Sequence, residues 1–93
     1  MGKLNSLLHQ ELRLSIVSYL ASIERADFKK LLEVTGASKG NISVQLSKLE
    51  DAGLIKIKKS FKGNYPHTEC SITSKGKKEF EEYLIELKRL LKL

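Results

Sequence analysis

Cysteine is nearly absent from this chain of 93 residues: Cys70 stands alone. One thiol cannot close an internal disulfide, so the fold is expected to rest on its own core in a reducing, cytoplasmic setting. Long apolar runs are missing as well. No uninterrupted apolar stretch exceeds three residues, which excludes a membrane-crossing helix and the core of a secretory signal. Proline occurs once and glycine six times, among 41% apolar and 30% charged residues, a composition that excludes a disordered chain. The length suits one domain over residues 1–93, without room for a separate catalytic or sensing unit. So short a chain buries a modest fraction of its surface, and a second subunit would add to it.

Groups for catalysis are equally scarce. His9 and His67 lie 58 positions apart, and neither has metal-ligand spacing to Cys70 or to a neighbouring carboxylate. There is no phosphate-binding glycine loop, no metalloprotease helix motif and no nucleophile elbow. Glu81 and Glu82 are adjacent on a helix and point apart, which makes them a solvated face rather than an acid–base pair. The chain reads as a non-enzyme that needs no metal or cofactor.

What the sequence does contain is positive charge in one place. Its net charge is +6, and residues 36–78 carry nine lysines against Glu50, Asp51 and Glu69, while basic and acidic residues balance elsewhere. Lysines clustered in this way gain by displacing counterions from phosphates, so a polyanion is the natural partner. A merely solvated lysine-rich surface is the plainer reading of the same charge.

Periodicity gives the elements. Leu8, Leu12, Ile16, Leu20 and Ile23 recur at steps of four and three, predicting a helix from about Asn5 to Ser22. Asp27 caps a second helix from Phe28 to Val34, closed by Thr35-Gly36. Ser38 caps a third that runs to about Ala52, with Ile42, Leu46 and Leu49 as its buried line and Gly53 as its terminator. The tight, glycine-containing join between the second and third helices has helix-turn-helix spacing. Ile55 and Ile57 then alternate with Lys56 and Lys58, a strand pattern, and residues 62–66 form a turn. His67 to Ile72 returns with Thr68, Cys70 and Ile72 on one face, where a free cysteine serves as a small buried hydrophobe rather than a redox switch. Thr73 caps a final helix. The order α-α-α-β-β-α, mainly α with a small hairpin, is a winged helix-turn-helix.

On the third helix the buried line leaves Gly40, Val44, Ser47, Lys48 and Asp51 outward, flanked by Asn41 and Gln45, with Ser43 beside them. Asn and Gln can pair with adenine, Lys can reach guanine, and Val44 can touch a thymine methyl. Ser38 and Lys39 suit phosphate contacts at the positive end of the helix. The hairpin adds Lys56, Lys58, Lys59 and Lys62, with Tyr65 and His67 near its tip. On the last helix Phe80, Leu84, Leu87 and Leu91 step as a coiled-coil seam. Joined by Leu4, Leu7 and Leu8, it offers a homodimer interface.

The run Ser38-Lys39-Gly40-Asn41-Ile42-Ser43-Val44-Gln45-Leu46-Ser47-Lys48-Leu49-Glu50-Asp51-Ala52-Gly53-Leu54-Ile55, with Ala26-Asp27-Phe28 before it, resembles winged-helix transcriptional regulators of the MarR/ArsR-like superfamily. Lys58-Lys59-Ser60-Phe61, Pro66-His67-Thr68 and Ile72-Thr73-Ser74-Lys75-Gly76 are similar to a compact archaeal and bacterial branch of it. The resemblance covers residues 10–85. It implies that the helix after Ser38 enters the major groove of double-stranded DNA, that the hairpin follows the backbone, and that the terminal helices form a homodimer. Many such relatives carry arginine near the wing tip, where this chain has Gly63-Asn64-Tyr65, so phosphate contact is expected there in place of minor-groove insertion. The cysteine–histidine clusters of metal-sensing relatives are absent. No small-molecule effector is named by the sequence. The rival reading is a winged helix that serves as a protein-interaction module; RNA is disfavoured because Tyr65 alone is a poor stacking platform.

Overall fold

The computed structural model describes residues 4–93; the first three positions of the expected domain lie outside the described residues. Four helices and three strands follow in the order α1 (Glu11–Ile23), β1 (Arg25–Asp27), α2 (Phe28–Thr35), α3 (Lys39–Asp51), β2 (Ile55–Lys62), β3 (Tyr65–Ile72) and α4 (Ser74–Leu91). The expected winged helix-turn-helix is thus present, with one strand more than its periodicity announced.

The first helix starts later than the leucine spacing suggests. Gln10 is extended and its side-chain oxygen accepts from the Arg13 N–H at 2.7 Å, so it caps α1 at Glu11. Upstream, the Asn5 side-chain oxygen accepts from the N–H groups of Leu7 and Leu8, winding a separate turn. The Asn5 amide nitrogen donates to Glu79 at 3.0 Å and fastens this turn to α4. Leu8 is thereby driven into the core, where it is fully buried.

Helix α1 ends at Glu24, whose φ of 72° puts a non-glycine residue in the left-handed half of the backbone map. The sharp reversal sets β1 antiparallel to β3, with the Glu24 carbonyl accepting from the Ile72 N–H at 3.0 Å. Strand β3 is central, in the order β1-β3-β2. The hairpin from β2 to β3 turns on Gly63-Asn64; positive φ at Gly63 and not at Asn64 is the type II′ arrangement that suits twisted strands. Pro66 lies within β3, beyond the part that β1 covers, so its missing N–H breaks no ladder.

Core residues come from every helix and from the sheet: Leu12, Ile16, Val17 and Leu20 of α1, Leu31 of α2, Ile42, Leu46 and Leu49 of α3, Ile55 and Cys70 of the sheet, and Tyr83 of α4. Each large aliphatic side chain so buried contributes about 1.5–3 kcal/mol. Thr73 locks α4 to the sheet. Its hydroxyl lies 2.7 Å from the Gly53 carbonyl and 3.0 Å from that of Leu54, and it accepts from the Gly76 N–H at 2.9 Å. No helix among the described residues is long and apolar enough to cross a membrane.

Candidate nucleic-acid interface

Local caps position the third helix. The Asp27 carboxylate accepts from the Lys30 N–H at 2.7 Å and starts α2, and Gly36, left-handed at φ 69°, ends it while donating to the Leu32 carbonyl. Ala37 and the capping Ser38 complete the join, the Ser38 hydroxyl accepting from the Asn41 N–H at 3.2 Å. Ile42, Leu46 and Leu49 face inward, as their spacing requires. Lys39, Asn41, Ser43, Val44, Ser47 and Lys48 are left exposed as one surface, with Ser38 at its head.

Gln45 departs from expectation. It is only 8% exposed, and its side-chain oxygen accepts from the Arg13 guanidinium at 2.6 Å. Its amide nitrogen donates to the Asn41 side-chain oxygen at 3.0 Å. With both ends of its amide engaged, Gln45 is not the free base-reading group that its flanking position suggests. The reason lies on another element: Arg13 of α1 reaches across and also donates through Nε to the Leu7 carbonyl at 2.6 Å. In the sequence Arg13 is an isolated basic residue beside an apolar line, indistinguishable from ordinary helix surface.

Register sorts the wing. Side chains alternate along a strand and directly opposed residues share a face. Lys56, Lys58 and Lys62 therefore lie on one face with Tyr65 and His67, since Lys62 opposes Tyr65 and Ser60 opposes His67. Lys59 is on the other face, with Phe61, the core residue Ile55 and the half-buried Ile57. Phe61 and Tyr65 are 73% and 78% exposed, so the wing tip carries two uncovered aromatic rings among its lysines. Phe61 continues the alternation of Ile55 and Ile57, so the strand period marks it as inward; β2 beyond Ile57 is exposed, and the ring is left uncovered.

The wing is not one basic patch. Lys39 lines an open groove of about 620 Å³ with Lys29, Pro66 and His67, at the start of β3. Lys56 lines a separate groove with Arg25 and Lys77, at the root of the hairpin. Six residues of strand, about 20 Å, separate Lys56 from Lys62.

Cys70 is fully buried on β3, opposite Ala26 on one side and Ile57 on the other. Burial pushes its thiol up to about 11, and the negative charges of Glu50 and Glu69 act in the same direction. The neighbouring lysines do not make it a thiolate. Among the described residues no three His, Cys, Asp or Glu side chains stand close enough to hold a metal ion.

The terminal leucines divide. Leu8 belongs to the core of its own fold and is removed from any dimer surface. Leu4, Leu7, Phe80 and Leu87 are half-buried against that core. Leu84 and Leu91 stay exposed, as do Ile85, Leu90 and Leu93.

Known proteins share this arrangement. The pattern of the winged helix DNA-binding domain family matches residues 12–91. An uncharacterized protein of Methanocaldococcus jannaschii, MJ0432, is 34% identical over 80 residues, covering 86% of this chain and 87% of its own length. The structure of a transcriptional regulator homologue from Pyrococcus horikoshii superposes with a TM-score of 0.86 at 29% identity, over 92% of this chain and 85% of that one. A MarR-family protein from Porphyromonas gingivalis shares the fold, with a TM-score of 0.69 at 22% identity over 92% of this chain and 79% of its own. An exposed helix following a tight turn, a lysine-rich hairpin beside it and a matching pattern over nearly the whole chain lead to one assignment: the protein belongs to the winged helix DNA-binding domain family of transcriptional regulators.

Proposed function

We propose that the chain binds double-stranded DNA sequence-specifically, as a homodimeric, cytoplasmic regulator of transcription in which residues 1–93 act as one domain. The exposed face of α3 lies in the major groove. Asn41, Ser43, Val44 and Lys48 meet base edges there, while Ser38 and Lys39 meet phosphate. Lys58 and Lys62, with Tyr65 and His67, meet the backbone from one face of the wing and Lys59 from the other, while Lys56 meets phosphate from its separate groove at the hairpin root.

One observation carries this reading. The polar stripe of α3 is uncovered by any other element among the described residues, and it lies within the stretch that holds the whole positive excess. A protein-docking face would gain more from apolar residues at those positions. Dimerisation is supported by the exposed leucines and isoleucine at the end of α4, which an isolated domain gains nothing by presenting to water. A dimer would set two copies of α3 about 34–36 Å apart, one turn of duplex.

Binding to mixed-sequence duplex at about 50 and about 200 mM salt tests the proposal, because phosphate neutralisation requires a steep loss of affinity over that range. A flat response would favour the protein-interaction module. Selection from random duplexes then reads out base preference directly.

A further inference from the structure

We infer that Arg13, on α1, sets the base preference of α3 by fixing which end of the Asn41 amide faces outward. The inference rests on the DNA-binding reading above and deepens it.

A guanidinium only donates hydrogen bonds. The Gln45 atom 2.6 Å from Arg13 Nη1 must therefore be the amide oxygen, Oε1. That choice turns the Gln45 amide nitrogen toward Asn41, one helical turn earlier. An N–H donor at 3.0 Å requires an acceptor opposite it, so Asn41 presents Oδ1 to Gln45. The Asn41 Nδ2 group, with both its protons, is left for whatever lies outside, and it has no partner among the described residues. Arg13 itself is held, since its Nε donates to the Leu7 carbonyl at 2.6 Å. The guanidinium thus has one orientation, and the two amides downstream of it inherit theirs.

An isolated asparagine on a reading helix offers donor and acceptor together and pairs with adenine through both. An Asn41 whose oxygen is held by Gln45 meets the groove chiefly as a donor. It matches the acceptors of guanine (O6 and N7) and of thymine (O4), keeps only N7 of adenine, and is mismatched to the amino group of cytosine. Arg13 and Gln45 touch no base in this scheme. They are positioning residues, and the specificity they confer is exerted at Asn41.

Selection from random duplexes with the full chain, its Arg13→Lys and Gln45→Glu variants, and Asn41→Asp tests the assignment. The unmodified chain is expected to favour guanine or thymine at one position in each half-site. Gln45→Glu keeps a partner for Arg13 but cannot donate to Asn41, so the Asn41 amide reverses to donate inward and present its oxygen. Preference at that position should swing roughly tenfold toward cytosine or adenine. Asn41→Asp, at an exposed site where folding is not at risk, should swing it the same way. Arg13→Lys keeps the charge but loses the planar fork, so the preference should relax while salt dependence stays unchanged. If Arg13→Lys and Gln45→Glu fold normally and keep the original preference, Arg13 is a structural residue only and the inference is overturned. If the unmodified chain binds duplex without base preference, the sequence-specific reading falls, and this inference with it. That result comes from the unmodified chain alone, so the two failures are distinct.

Discussion

Gly76, in the first turn of α4, lies so close to the Leu54 carbonyl oxygen that a Cβ on it would be driven into that oxygen and to within 2.9 Å of Ile72 Cγ1. The absence of a side chain is what lets α4 dock beside the sheet, where Thr73 joins the two. Helix propensity alone would favour Gly76→Ala by about 1 kcal/mol. Overpacking against a fixed backbone atom opposes it and wins. The variant should lose about 1–3 kcal/mol of stability, measured by urea or thermal unfolding. A stabilised Gly76→Ala protein would show that the approach of α4 to Leu54 is wrong.

Cys70 gives stability an alkaline limit. Its pKa is raised from 9.0 to about 11 in the folded chain, so above pH 9 the unfolded chain gives up the thiol proton while the folded chain keeps it. The folded state then binds more protons, and stability falls as pH rises. The contribution is fully present below about pH 9 and is lost between there and about pH 11, up to roughly 2–3 kcal/mol. Comparing the pH dependence of unfolding with that of Cys70→Ala isolates this slope from the lysines. At neutral pH a thiol reagent should label Cys70 only on unfolding.

The leucines near the two ends should separate by experiment. Leu8→Ala removes a fully buried side chain and should destabilise the fold by about 2–5 kcal/mol at any protein concentration. Leu84→Glu combined with Leu91→Glu alters exposed positions and should leave the folded unit intact while lowering the mass seen by sedimentation from dimer to monomer. A wild-type chain that sediments as a monomer at micromolar concentration would end the dimer proposal.

Helix and wing should divide the DNA work. Asn41→Ala should cost ~1–3 kcal/mol on a preferred site and little on random duplex, because a base contact is lost. Lys58→Ala should weaken both alike and reduce the magnitude of the salt slope by about one, because a phosphate contact is lost. Titrations at several salt concentrations measure both effects. The opposite pattern would exchange the roles given to α3 and the hairpin.

Much of this molecule is written in short stretches of its sequence. Asp27, Ser38 and Thr73 cap their helices through bonds to N–H groups three residues ahead, and Gly36 ends α2 through its own φ. Such bonds depend on neighbours in the chain, so they can be read without the fold. The same holds for the inward line of α3 and for the alternation in β2, where burial follows the period of the element.

Other features depend on partners far away in sequence. Arg25-Ala26-Asp27 is too short to announce a strand; it becomes β1 because β3, some forty residues later, supplies its hydrogen bonds. Leu8 heads the apolar line of the first helix, and its spacing does not decide between a dimer face and the core; Asn5, tied to Glu79, bends the chain and turns that side chain into the core. Gln45 sits on the flank of α3, where periodicity alone does not decide between groove and interior. Arg13, thirty-two positions earlier, decides it by taking the amide oxygen. Sequence by itself determined α2, α3 and α4, their caps and the basic hairpin, because those are set by local hydrogen bonds and by periodicity. Tertiary structure alone decided which polar groups of α3 remain free for a partner, because a hydrogen-bonding group is available only when no other part of the folded chain has already engaged it.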